Sequence, residues 1–124
     1  MVTYNEHLKN ILTQVLGSYS NLKEINDKPN DLNVIKLEML KINGFLKVVL
    51  KKFDADKIIS SDFKTVKSKF QHYLDNYYFE QEIETMAPLY SNDVSRVKNM
   101  RLKILEALEE RKMMDDIKEL ITKI

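Results

Sequence analysis

Two glycines and two prolines are all that this sequence of 124 residues contains. Folds with many strands draw heavily on both at their hairpins, because glycine enters positive φ at little cost and proline presets the first turn position. A chain so short of them folds into few, long elements. Apolar spacing identifies these elements as helices.

Thr3-Tyr4-Asn5-Glu6 fits a capping box, so a helix is expected to start there. Leu8, Ile11, Leu12, Val15, Leu16, Tyr19 and Leu22 follow at steps of three and four, and Asp27 to Asn30 end the pattern. Asn30 or Asp31 caps a second helix, in which Ile35, Met39, Ile42, Leu46, Val49 and Phe53 are joined by Val34, Leu37, Leu40, Phe45, Val48 and Leu50. A helix apolar over so wide an arc must touch more than one neighbour, and it is expected to lie most centrally. After Asp54-Ala55-Asp56, with a short turn at Ile58 and Ile59, Ser61 or Asp62 caps a third helix. Its stripe is Phe63, Val66, Phe70, Tyr73, Leu74 and Tyr77. Met86-Ala87-Pro88-Leu89 is expected to be a loop, since proline lacks the amide proton and disfavours helical geometry in its predecessor.

Ser91, Asn92 or Asp93 caps the last helix, with Val94, Val97, Ile104, Leu105 and Leu108 inward. Its pattern lapses over Glu109 to Lys112 and resumes at Met113, Ile117, Leu120, Ile121 and Ile124. Either the helix bends near Arg111 or it runs through with an exposed middle turn. The expected fold is all-α: an antiparallel four-helix bundle forming a single domain over residues 1–124, with hairpins at about 3–60 and 62–124.

A shift of 62 residues superposes Asp31 on Asp93, Lys36 on Lys98, Leu40 on Leu102, Ile42 on Ile104 and Leu46 on Leu108, and it maps Leu8 on Phe70 and Ile11 on Tyr73. Two readings stay open. One is an internal duplication of an αα-hairpin, since one hairpin cannot bury its own apolar face; the other is a chance match between two amphipathic, lysine-rich helices.

Cysteine is absent, which removes disulfides, zinc-thiolate sites and cysteine nucleophiles together. Neither His7 nor His72 has a glutamate three residues before it, the pairing that carries metals in helical bundles. No arginine precedes His72, and no glycine-rich phosphate loop or Gly-x-Ser-x-Gly is present. No enzyme, metal or cofactor is expected. With no leader-like start and no long apolar run, a cytoplasmic chain without a membrane association is expected.

Charge is unevenly placed. Lys36 to Lys69 holds nine lysines against four acids, whereas Phe70 to Asp93 holds five acids and no lysine or arginine. Two surfaces follow as candidates. The first is an acidic, aromatic segment comprising Tyr77, Tyr78, Phe79, Glu80, Glu82, Met86, Leu89 and Tyr90, with Tyr78 and Phe79 facing outward to anchor a protein partner or a second copy. The second is a lysine patch of Lys47, Lys51, Lys52, Lys57, Lys64 and Lys67, able to neutralise the phosphates of RNA or DNA. The bland alternatives are a segment folded back over its own aromatics and lysines paired with neighbouring acids. The expected role is non-enzymatic: an assembly or adaptor subunit using the first surface, or else a nucleic-acid-binding accessory subunit using the second.

Overall fold

A computed structural model describes residues 4–28, 31–55 and 61–123. The expected caps at Thr3 and Asn30, the turn at Ile58 and Ile59, and Lys57 lie outside them. Helices α1 (Tyr4–Glu24), α2 (Asp31–Ala55), α3 (Ser61–Asn76), α4 (Phe79–Tyr90), α5 (Val94–Glu109) and α6 (Met113–Lys123) make up nearly all of the described chain, and no strand occurs among the described residues. The fold is an all-α helical bundle.

The six helices form four columns: α1, α2, α3 continued by α4, and α5 continued by α6. Pairs across the columns show that neighbours run antiparallel. Lys36 of α2 reaches Glu84 of α4, Lys69 of α3 pairs with Asp116 of α6, and Glu82 of α4 accepts from Lys103 of α5. α2 packs against α1, α3, α4 and α5, the central position expected of it.

Both broken columns break where the apolar spacing slips. On the third, the stripe Val66, Phe70 and Tyr73 would place Glu80 and Glu84 inward next, yet the apolar residues fall at Phe79, Ile83, Met86 and Tyr90. A two-residue interruption at Tyr77 and Tyr78 rotates α4 into the new phase. On the fourth, the steps Val97, Ile104 and Leu108 point to Arg111 and Asp115, whereas Met113, Met114, Ile117 and Leu120 are the buried residues. The column therefore bends at a 3-10 turn over Glu110–Lys112.

That bend places Arg111 and Lys112 consecutively at φ 58° and 57°. Left-handed geometry costs an L-residue with a Cβ roughly 1–2 kcal/mol, offset in part for glycine by its greater freedom when unfolded. Arg111→Gly and Lys112→Gly are each expected to raise stability by about 1 kcal/mol, read as a higher denaturant midpoint with an unchanged slope.

The loop expected at Met86 to Leu89 is instead the last turn and a half of α4, with Pro88 inside the helix. Phe79 and Ile83 are buried, and Met86 and Ala87 pack partly buried against the core. Packing on α2 and α5 outweighs the roughly 3 kcal/mol that proline costs in a helix interior. Asp93 caps α5 as expected, accepting from the Arg96 amide at 3.2 Å.

Burial follows the 62-residue shift only part way. Ile35, Met39, Ile42 and Leu46 are buried, as are Val97, Arg101, Ile104 and Leu108; beyond them Val49 is buried while Arg111 is exposed. The in-phase stretch ends where the second half of the chain breaks its helices.

Candidate functional site

Around the break in the third column, Tyr77 is half-buried. Its ring stacks on Phe79 at 5.3 Å between centroids and lies 5.7 Å from that of Tyr73. Its hydroxyl donates to Glu110, while Tyr19 of α1 donates to Glu109. Two consecutive glutamates, the last of α5 and the first of the 3-10 turn, thus tie the bend to both flanking columns. His72 Nε2 also lies 3.7 Å from Glu110.

Of the outward aromatics expected here, only Tyr78 is outward. It is 64% exposed, and its hydroxyl donates to the Asp75 carbonyl at 2.8 Å. Phe79 is 2% exposed and belongs to the core, because the break that starts α4 turns position 79 onto the new inward stripe. Glu82 is bonded by Lys103 at 2.9 and 3.1 Å, and Glu84 by Lys36 at 3.4 Å. Met86 is half-buried, and Tyr90 lies under the Arg96 guanidinium at 3.8 Å. Tyr78, Glu80 and Leu89 remain as exposed members, with Leu89 at 76%. Tyr78 and Leu89 stand at opposite ends of α4, so the eight residues do not form one contiguous aromatic face.

The lysine patch is divided in the same way. Lys47 and Lys51 are exposed on α2, Lys52 is half-buried, and Lys64 and Lys67 lie on α3. Lys64 and Lys67 line a hollow of about 500 Å³ together with His72, Asp75 and Arg111. The bend brings Arg111 to these lysines, a placement that spacing alone did not reveal.

The surface that sequence reasoning missed lies on α2. Its inward stripe, Ile35, Met39, Ile42, Leu46 and Val49, is fully buried. On the opposite side Val34, Leu37 and Val48 stand in solvent, with Leu37 at 59%. Together with Lys41 and Gly44 they are spaced three, four, three and four, the repeat that aligns side chains along one seam of a helix meeting another helix. Leu40 and Phe45 flank the seam half-buried. The signal was present as the excess width of the apolar arc, but its assignment to the interior concealed it.

Electrostatics at the tyrosines is one-sided. Burial first, then Glu109, pushes the Tyr19 hydroxyl well above its ordinary pKa; burial, then Tyr77, does the same for Tyr73; and the bond to Glu110 leads the rise at Tyr77. A pKa raised on folding means that the unfolded chain loses its proton first. The stabilisation is therefore complete below pH 10 and declines as pH rises above it. Tyr73 Oη is also buried without a hydrogen-bond partner among the described residues. Tyr73→Phe is expected to leave neutral-pH stability unchanged or raise it by up to about 1 kcal/mol, since an unsatisfied buried hydroxyl is removed. It should also flatten the loss of stability between pH 10 and 11, measured by thermal melts across that range.

Among the described residues no group of three or more histidine, aspartate or glutamate side chains is placed to hold a metal ion, and no helix is long and apolar enough to cross a membrane. No family model matches the sequence, and no curated protein or solved structure matches it.

Proposed function

We propose that this chain is a non-enzymatic assembly or adaptor subunit that binds a protein through α2. The observation that carries this reading is the exposed seam of Val34, Leu37 and Val48 on a helix whose other side is fully buried. Monomeric proteins leave single apolar residues in solvent, whereas an aligned run along one helix is the form taken by helix-to-helix recognition. Tyr78 and Leu89 are separate exposed residues and contribute less. The test is a tagged chain used to capture partners in its native host. Leu37→Glu should abolish capture at unchanged helicity, and Tyr78→Ala should reduce it little; retention of every partner by Leu37→Glu contradicts the reading.

A second reading is favoured by the hollow that gathers Lys64, Lys67, His72 and Arg111. In it the chain binds the backbone of RNA or DNA as an accessory subunit. This reading predicts retention on heparin that falls steeply with salt and is lost in Lys64→Glu/Arg111→Glu. Passage through heparin at low salt without delay removes it.

A further inference from the structure

We infer that the partner seated on the α2 seam is a second copy of this chain, lying antiparallel across it. The inference rests on the protein-binding reading and names its partner.

Extended to Lys51, the seam reads Val34, Leu37, Lys41, Gly44, Val48 and Lys51. Antiparallel helices bring the two alternating seam positions of one copy against each other in the next. A two-fold axis between Ile42 and Asn43 does this along the whole seam. Leu37 meets Val48 of the second copy, Lys41 meets Gly44, and Val34 meets the methylene stem of Lys51. Gly44 is suited to its place: an added Cβ there meets nothing within 4 Å in the protomer, so the space above it is open to the stem of the opposing Lys41. The contact runs about 26 Å along the helix, with Leu40 and Phe45 at its margins.

Charge selects the antiparallel direction and the identity of the partner. The Lys36–Glu84 pair sets α4 beside the first half of α2, so Glu80, one turn earlier, stands beside Leu40. Lys47 lies seven residues after Leu40, on the same flank of α2. Among the described residues neither Lys47 nor Glu80 has an ion-pair partner, and both are exposed. Two-fold pairing brings Lys47 of each copy toward Glu80 of the other. A parallel two-fold pairing would instead set this flank against the opposite flank of α2, beside α1, and leave Lys47 and Glu80 apart.

Sedimentation equilibrium of the purified chain over about 1–200 μM tests this. A dimer is expected, dissociating more readily as salt rises. Leu37→Glu should raise the dissociation constant by more than roughly 100-fold, because it buries a carboxylate in an apolar seam, while leaving helicity unchanged and removing the concentration dependence of melting. Lys47→Glu alone and Glu80→Lys alone should each weaken the dimer, and an equimolar mixture of the two should form the heterodimer in preference to either homodimer. A monomer throughout, a dimer indifferent to Leu37→Glu, or swapped chains that do not prefer each other would each overturn the inference. If the chain is monomeric but its captured partners are lost with Leu37→Glu, only the second copy fails; if Leu37→Glu also loses no partner, the protein-binding reading fails with it.

Discussion

Arg101→Met is expected to cost about 3–5 kcal/mol, among the largest losses available to a single substitution here. Arg101 Nε and Nη2 donate to the two carboxylate oxygens of Asp27 at 2.7 and 2.9 Å, and Nη1 donates to the Leu22 carbonyl at 3.3 Å. Both side chains are about nine-tenths buried. The guanidinium therefore neutralises a buried carboxylate and satisfies a carbonyl at the C-terminus of α1, where helical carbonyls lack partners and cations are favoured. Its own pKa is raised, first by the bond to Asp27. Removing the arginine leaves Asp27 buried and charged, which costs far more than the pair contributes beyond apolar replacements. Asp27→Asn in the Arg101→Met background should then recover part of the loss, and asparagine tolerates the left-handed φ of 58° at that position. Urea denaturation of the three variants measures both effects. A loss below 1 kcal/mol in Arg101→Met would mean that the pair is not buried in solution.

Phe70→Ala is expected to cost about 3–5 kcal/mol. Phe70 is fully buried on α3, the helix that packs against both α2 and α6. Truncation removes the transfer energy of the ring and opens a cavity between columns that are held apart by other side chains, so collapse is incomplete. Phe70→Leu keeps most of the volume and should cost under about 1.5 kcal/mol. Against a typical domain stability of about 5–15 kcal/mol, the alanine variant should melt many degrees lower. The difference between the two variants isolates the cavity; equal losses would place Phe70 outside a packed interior.

The helical class and the starts of α2 and α5 are legible because the signals are local. Asp31 and Asp93 stand where helices begin, and the three-and-four spacing of Leu8 to Leu22 became the inward face of α1. Breaks were harder to read. At Glu109 to Lys112 four polar residues mark the place but fit a bend and an exposed middle turn equally. At Tyr77 and Tyr78 an unbroken aromatic run disguises the slip, so the sequence suggests an outward Phe79 and a loop at Met86 to Leu89, the last part of α4. Proline reinforced that error, because its local cost is plain in sequence while the burial of Ile83 that offsets it is tertiary. The Arg101–Asp27 pair joins residues 74 apart, and nothing local marks it. On α2 the sequence shows two apolar stripes back to back, and composition does not say which one the rest of the chain will cover.

The central proposal is that the outward stripe of α2 is where this chain meets a second copy of itself. A photoreactive side chain placed at position 37, 48 or 14 in the purified chain tests it directly, since Leu37 and Val48 share the seam while Gln14 is exposed on α1. Irradiation should give adducts of twice the chain's mass from positions 37 and 48 and little from position 14. No adduct from the two seam positions, or equal yields from all three, would contradict the account.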